Sequence, residues 1–409
     1  MPAQREAIDR LIAYYRDGTG ASWRRFNTAW LEYRDPVVDT INGFIEVYKD
    51  ARGQKGAFEG IVTYVDASGT ALLQKLAAHA QYFEDRTPFD EQYKRKNLTI
   101  PVATAVNVAV ATGDGGPMCS IGINLPNEQE IRARLGSKSV SLANVMRAGD
   151  AATLAAAIDE FAPPEDRELA KRYADRLGFL KTSMHEVLGH AAGQSSPDLK
   201  GEPSVHLREH YSALEEARAE LLALHHMSDP KLVELNILPD AEVAAAGLKS
   251  YARDGLLMLR RIKGTDVIED DHMRAMQLIV TYLREACGAI VAERIDGKLY
   301  YRVPDVDDMR RGVAELLRTL QRIKATGNYD AARRLIEEYA IHVNLDWRDE
   351  VVARAQAVGL HDYTAFVMPQ VVPILNERAE VIDARVTHDD EFIVQMLKYS
   401  GKLARESRS

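Results

Sequence analysis

Two histidines and a glutamate beside the first of them stand within residues 184–190, which read MHEVLGH. A second segment, residues 215–220, reads EEARAE and carries three carboxylates. Two imidazoles and one carboxylate commonly hold a zinc ion whose fourth position is open to water. Together the two segments therefore predict a hydrolytic zinc site.

The spacing of His185 and His190 exceeds that of the common H-E-x-x-H zinc motif by one residue. In a regular α-helix, side chains five residues apart diverge by about 140°. A single π-type turn absorbs one extra residue and returns both rings to one side. Gly189 lacks the side chain that would restrict the backbone where this distortion falls. The motif therefore predicts a helix with a π-type bulge.

The acidic segment is predicted to begin a helix. Ser212 and Glu215 have the spacing of a capping box, which places the start of the helix at Ser212 and its end near Met227. On this helix Glu216 and Glu220 face one side and Glu215 faces an adjoining side. For this segment taken by itself, a solvated acidic helix start, stabilised by the helix dipole, is the alternative.

A rival pair of histidines follows the first motif. His206 and His210 are four residues apart and would face one side of a short helix over residues 205–211. Helical geometry alone favours this pair over His185 and His190. However, neither histidine is directly followed by a glutamate that would suit a catalytic base, as His185 is followed by Glu186, and the segment has the pattern of an exposed surface helix.

The pattern H-E-x-x-G-H followed by E-E-x-R-A-E resembles the dipeptidyl peptidase III family, which consists of M49-type zinc metallopeptidases. The likeness covers most of residues 40–400 and includes residues 41–48, 122–127, 136–140 and 271–273, in the family's order. The chain resembles a short, bacterial-type form, because longer members carry a large additional N-terminal region before the segment that contains Glu46.

The resemblance implies a ligand set for one zinc ion per chain. By this resemblance Glu216 is the third ligand, beside His185 and His190. Glu186 would then act as the general base, as its place beside the first ligand allows. That the metal is zinc follows from the ligand types and from the resemblance.

Further roles also follow from the resemblance. Glu215 and Glu220 would accept hydrogen bonds from the metal-bound imidazoles, as carboxylates beside such rings commonly do. Tyr48 and His272 would bind the oxyanion that forms from the reacting carbonyl group. The residues that match family positions holding the free amino end of a peptide are Glu46, Asn124 and Asn127.

The resemblance implies a zinc-dependent metallopeptidase, an exopeptidase that releases dipeptides from the N-terminus of short peptides. A zinc hydrolase of a non-peptide amide or ester is one alternative. A non-catalytic peptide-binding relative is another, although a binding protein has no use for the base Glu186. A chain with a short N-terminal region could need a second copy to complete its cleft, so a homo-oligomer also stays open.

The composition excludes several classes of protein. The 409 residues are 46% hydrophobic and 28% charged, as in soluble globular proteins. A formal charge of −9 and the lack of a long basic run argue against nucleic-acid binding. The N-terminus lacks the apolar core of a signal peptide, and no apolar run is long enough to span a membrane. We therefore expect a cytoplasmic protein.

Strand patterns occur towards both ends of the chain, whereas its middle is helical. We predict an α+β fold, mostly α, with two lobes and a cleft between them. The smaller, β-containing lobe is predicted to comprise residues 1–66, 100–150 and 362–409. The helical catalytic lobe, which carries the zinc, is predicted to comprise residues 67–99 and 151–361.

Overall fold

The computed structural model describes most of the chain. The described ranges are residues 2–34, 36–43, 58–98, 104–113, 122–126, 129–136, 138–262, 264–360, 366–387 and 391–399.

Helices account for most of the described residues, and strands for a smaller share. The helices are α1 Pro2–Asp17, α2 Gly20–Glu32, α3 Ala67–Ala78, α4 Ala80–Asp85, α5 Gln129–Leu135, α6 Ala143–Phe161, α7 Arg167–Met184, α8 Pro203–Leu207, α9 Tyr211–His226, α10 Lys231–Glu234, α11 Glu242–Met258, α12 Asp271–Glu285, α13 Val306–Thr326, α14 Tyr329–Tyr339, α15 Leu345–Ala357 and α16 Phe392–Tyr399. The strands are β1 Val38–Gly43, β2 Glu59–Val65, β3 Thr104–Gly113, β4 Gly122–Leu125, β5 Lys138–Leu142, β6 Val291–Ile295, β7 Lys298–Arg302, β8 Gln370–Leu375 and β9 Val381–Thr387. The predicted α+β class, mostly helical, is confirmed.

The chain divides into two compact units. One comprises Met1–Ala71, Val102–Gly149 and Tyr363–Ser409, and the other comprises Leu72–Pro101 and Asp150–Asp362. The two lobes predicted from the sequence have the same order of segments along the chain, and their boundaries stay a prediction.

The first unit contains a five-stranded sheet with the strand order β1-β2-β3-β5-β4. Only β3 and β5 are parallel to each other among these neighbours. In the registers of β1 with β2 and of β2 with β3, Ile41 lies opposite Ile61, and Ile61 lies opposite Ala111. These side chains are buried in one core with Phe26 and Trp30 of α2. One face of the sheet therefore packs against the N-terminal helices.

The second unit is helical and is organised around α9. Buried side chains point from this helix in several directions, as expected for a helix surrounded by others. It packs against α7, α12 and α13. None of the helices in the described part of the chain is both long and apolar enough to cross a membrane.

The β6–β7 hairpin was not predicted from the sequence. Its turn is Asp296-Gly297, and both residues have positive φ angles, of 50° and 80°. An Asp-Gly pair between two short strands is a strong signal for a two-residue hairpin turn. The signal was therefore present in the sequence. Strand β5 was also not predicted from the sequence.

Two local predictions were wrong. Ser212 does not cap α9, because the helix already begins at Tyr211 and its N-cap residue, His210, makes no side-chain capping bond. Residues 205–211 do not form one helix, because α8 ends at Leu207 and a 3₁₀ turn follows. Arg208, at the junction, has a positive φ of 50°.

Candidate metal centre

The first histidine motif forms a π-helical turn at the end of α7. Residues His185–Gly189 are π-helical, and the N–H of His190 donates to the carbonyl oxygen of His185 at 3.3 Å. The ring centroids of the two histidines are 4.8 Å apart, and the ring planes are at 85° to each other. The predicted bulge is therefore confirmed, and it brings together two rings that a regular helix would separate.

Gly189 is required at this turn because of a close approach. A Cβ atom built on Gly189 would lie 2.8 Å from both the Cα and the Cβ of Ala219, and 2.9 Å from its carbonyl oxygen. Ala219 lies within α9, so any side chain at position 189 would push that helix away. The glycine therefore sets the distance between the π turn and the helix that carries the acidic residues.

Three carboxylates of α9 face the two imidazole rings. Glu220 lies 3.0 Å from Nδ1 of His185, and Glu215 lies 3.2 Å from Nδ1 of His190. The Oε2 atom of Glu216 lies 3.1 Å from Nε2 of His185 and 3.8 Å from Nε2 of His190. The Nδ1 atoms are thus held by two carboxylates, while both Nε2 atoms are directed towards the third.

The position of Glu216 fits a shared metal ion. Its Oε2 atom is buried and accepts no hydrogen bond from the described residues. Neighbouring ligand atoms of a tetrahedral zinc ion lie about 3.3 Å apart, given bonds of about 2.0–2.1 Å. The distances of 3.1 and 3.8 Å from this oxygen to the two Nε2 atoms lie on either side of that value. The donor set of two imidazoles and one carboxylate suits zinc.

A different ligand set shares the same two histidines. The ligand atoms of His185, Glu186 and His190 all lie within 4.8 Å of one another. This distance of 4.8 Å exceeds the separation of about 3.3 Å between neighbouring ligand atoms of a tetrahedral zinc ion. In addition, Glu186 is exposed, whereas Glu216 is mostly buried. The geometry therefore favours Glu216 as the third ligand and leaves the carboxylate of Glu186 beside it.

Charged side chains support the carboxylate that faces His185. The ammonium group of Lys181, in α7, lies 2.7 Å from Glu220. Burial alone would raise the pKa of Glu220, but Lys181 and His185 lower it to about 2. Burial would lower the pKa of His185, but Glu216 and Glu220 raise it to about 10. A metal ion must therefore displace a proton from this ring, so metal affinity is expected to depend on pH.

A second charged group supports the carboxylate that faces His190. Burial alone would raise the pKa of Glu215, but the Arg218 guanidinium, His190 and Lys324 hold it well below its usual range. Lys324 reaches Glu215 from α13 at 2.6 Å. Burial and the charge of Arg218 lower the pKa of Lys324 to about 8, although Glu215 opposes this shift. Glu215 is therefore ionised and anchored from two sides.

His272 also lies beside the cluster. It is the second residue of α12, whose start is capped by the side chain of Asp270. Its Nδ1 atom is 3.5 Å from Oε2 of Glu216, and 76% of the side chain is exposed. The structure therefore places this ring next to the carboxylate that faces both zinc-motif histidines, with most of its surface open.

Of the four remaining predicted site residues, only Asn124 lies within the described residues. Glu46, Tyr48 and Asn127 lie outside the described residues. Asn124 is in β4, where its backbone pairs with Ser139 of β5. The roles expected for these four residues stay predictions.

The rival histidine pair is not brought together as a metal site. His206 contacts the carbonyl oxygen of Lys200 through Nε2, at 2.7 Å. His210 packs its ring against Tyr329. Within the described ranges, neither ring joins a cluster of metal-ligating side chains. The positive φ of Arg208 breaks the helix that would have aligned them.

The sequence did not reveal the cations that support the site. Lys181 lies four residues before His185, and Arg218 lies three residues after Glu215, so both spacings were visible. Lys324 is 109 residues from its partner Glu215, and no local pattern connects them.

Comparisons with known proteins show which proteins this chain is similar to. A model of peptidase family M49 matches residues 2–197. Dipeptidyl peptidase 3 from Mus musculus is 27% identical over 400 aligned residues, which cover 87% of this chain and 54% of the mouse protein. The chain therefore spans about half the length of the curated relatives it matches.

Solved structures share the fold. DPP III from Caldithrix abyssi matches with a TM-score of 0.73 and 24% identity, covering 87% of this chain and 65% of that one. Dipeptidyl-peptidase III from Corallococcus sp. strain EGB matches with a TM-score of 0.67 and 24% identity, covering 87% of this chain and 64% of that one. The family model and the curated relatives show that this chain is similar to peptidase family M49 and to dipeptidyl peptidase 3, and the solved structures show that it shares the fold of DPP III.

Proposed function

We propose that this chain is a zinc-dependent exopeptidase that releases dipeptides from the N-terminus of short peptides in the cytoplasm. The observation that carries the proposal is the position of Glu216, whose Oε2 atom lies against Nε2 of both His185 and His190. Similarity to a peptidase family supports peptide hydrolysis over other hydrolytic reactions. Neither a nucleic acid nor a membrane is proposed as a partner.

His185, His190 and Glu216 would hold one zinc ion per chain. When bound, zinc would polarise the scissile carbonyl group and lower the pKa of a water molecule at this centre. Glu220 and Glu215, on the opposite sides of the rings, keep each Nε2 atom directed towards Glu216. Because each Nδ1 atom can donate its proton to a carboxylate, both Nε2 atoms are free to act as ligands.

Glu186 is proposed as the general base. Its side chain is exposed, and its carboxylate lies within 4.8 Å of the ligand atoms of both histidines. Among the described residues it forms no ion pair or hydrogen bond that would hold it away from a substrate. A carboxylate in this position can accept a proton from the attacking water and deliver it to the leaving amine.

His272 and Tyr48 are proposed to stabilise the oxyanion. The exposed ring of His272 can donate an N–H to a carbonyl oxygen at the centre while it lies beside Glu216. At the amino end of the substrate, an ammonium group needs a carboxylate and further acceptors. The residues proposed for this role are Glu46, Asn124 and Asn127.

The proposal is tested with dipeptidyl-arylamide substrates and a base variant. We expect the zinc-loaded wild type to release dipeptides. Glu186→Gln keeps the size of the side chain but cannot accept the proton, so this variant should retain one zinc ion per chain and lose at least about 100-fold in kcat. Glu168→Ala, at an exposed glutamate of α7, is the matched control and should keep full activity.

Each other outcome points elsewhere. If zinc binds but no dipeptide is released, the metal site stands and the substrate is a different amide or an ester. If the wild type binds no zinc, the result favours a non-catalytic peptide-binding protein over an enzyme. If Glu186→Gln keeps full activity, another group is the base.

A further inference from the structure

The hairpin formed by β8 and β9 exposes an unusual amount of apolar surface. These strands pair with each other and with no other strand in the described part of the chain. Of the nineteen large apolar side chains that are exposed among the described residues, seven lie on this hairpin. They are Val371, Val372, Ile374, Leu375, Val381, Ile382 and Val386. An isolated two-stranded hairpin is marginally stable in water, so a surface of this kind indicates a partner.

The two edges of the hairpin differ. Pro373 lies in the middle of β8 and has no N–H to donate, so its nitrogen is placed at the outer edge. The outer edge of β8 is therefore a poor site for a further strand.

The outer edge of β9 is suited to pairing. Ala384 is the register partner of Pro373. Opposite residues in an antiparallel ladder either exchange both hydrogen bonds or neither, so Ala384 also directs its N–H and carbonyl groups outwards. Its N–H is met at 2.8 Å by the side chain of its own neighbour, Asp383. A strand that added here would replace Asp383 as the acceptor for this N–H, which leaves the Asp383 carboxylate available to another partner.

We propose that the partner is a second copy of this chain, which adds its own β9 in antiparallel orientation about a two-fold axis at Ala384. In this register Asp383 lies opposite Arg385 of the second copy, and the same pair forms again across the axis. Side chains two residues apart share one face of a strand, so both ion pairs lie on the same face of the new sheet. The edge of β9 is therefore complementary in charge to itself.

The apolar residues favour the same arrangement. Pairing of the two hairpins creates a four-stranded sheet and shields Val386 of each copy, whereas Ile382 is the extra residue at an irregularity of β9 and lies outside the regular register. The two-fold axis closes the assembly at a dimer, because the Pro373 edges on the outside resist a further strand. A different protein would need a matching charge pattern, which the second copy already has.

Sedimentation equilibrium of the zinc-loaded full chain over a wide concentration range tests the proposal. We expect the wild type to form dimers. Asp383→Arg would place arginines opposite each other, and Arg385→Asp would place aspartates opposite each other. Each pair occurs twice in the dimer, so either variant should raise the dissociation constant about tenfold or more. Glu377→Arg, in the exposed turn of the hairpin, is the matched control and should dimerise like the wild type.

A mixture of the two variants gives the sharper result. Asp383→Arg chains and Arg385→Asp chains are complementary to each other in the proposed register, so an equimolar mixture should recover dimers that neither variant forms alone. Three results would overturn the proposal: a monomeric wild type at every concentration, single variants that dimerise normally, or a mixture that stays monomeric.

Discussion

Replacement of Arg218 by methionine tests how the charges behind His190 hold the metal centre together. The fully buried guanidinium of Arg218 donates to the two carboxylate oxygens of Glu215 at 2.9 and 2.6 Å. It also donates to the carbonyl oxygens of Gly189 and Ala192, at 2.9 and 3.1 Å. One side chain therefore joins the end of the π turn to the carboxylate that faces the second zinc-motif histidine.

The expected loss of stability follows from these contacts. Removal of one partner from a buried ion pair costs about 3–5 kcal/mol, because the other charge is left buried. Lys324 still contacts Glu215 in the variant, which favours the lower end of this range. Two carbonyl oxygens also lose a donor, which favours the upper end. We therefore expect Arg218→Met to lower the free energy of unfolding by about 3–5 kcal/mol.

Metal binding should weaken in parallel. Loss of a residue that orients a ligating histidine typically lowers metal affinity about 10- to 100-fold. Urea unfolding gives the change in stability, and competition with a chelator gives the change in zinc affinity. Arg218→Lys is the control, since it keeps the charge but loses the planar fork that reaches four acceptors, and should show a smaller loss of both quantities. If the free energy of unfolding of Arg218→Met lies within about 1 kcal/mol of the wild-type value and zinc binds equally well, the contacts of Arg218 do not hold the metal centre together.

Two further substitutions probe the packing and the charge of the same centre. Gly189→Ala forces a methyl group against the backbone at Ala219. We therefore expect the free energy of unfolding, measured in urea, to fall by about 1–3 kcal/mol and zinc binding to weaken. Gly20→Ala adds its methyl group in open space and is the control. An unchanged Gly189→Ala variant would mean that α9 does not sit this close. Burial and the charge of Arg218 lower the pKa of Lys324 from 10.5 to about 8, so between these pH values the unfolded chain binds more protons than the folded chain. The stability of the wild type relative to Lys324→Met should therefore rise with pH across this window. Urea unfolding at several pH values measures this difference; a constant difference would contradict the shift, and Lys200→Met, at an exposed lysine, is the control.

The sequence predicted those features that depend on local spacing. The one-residue insertion between His185 and His190 has a single regular solution in a continuous helix, which is the π turn. The starts of α13 and α14 are also predictable from local sequence, because Asp305 and Asn328 are strong capping residues directly before each helix. Local chemistry was sufficient in these cases.

Other features depend on distant partners and could not be found in this way. Glu215 has the spacing of a capping glutamate, but its carboxylate is drawn to Arg218, His190 and Lys324 and does not return to the start of its helix. Charge-assisted bonds of this kind are stronger than a neutral capping bond, so tertiary contacts override the local preference. In the sequence, Lys324 is one more basic residue on a strongly amphipathic helix.

The five-residue spacing of the histidines matches a second spacing of five residues on α9. His185 faces Glu220, and His190 faces Glu215, so the two segments run in opposite directions. The two histidines and their two glutamates therefore have the same five-residue spacing. Glu216 lies between these two acceptors and is left to meet both Nε2 atoms. With the common four-residue spacing, the matching acceptors on α9 would be Glu216 and Glu220. Glu216 would then accept a hydrogen bond from an imidazole Nδ1 and could not also serve as the metal ligand. The inserted residue and the E-E-x-x-x-E pattern are therefore two parts of one geometric solution.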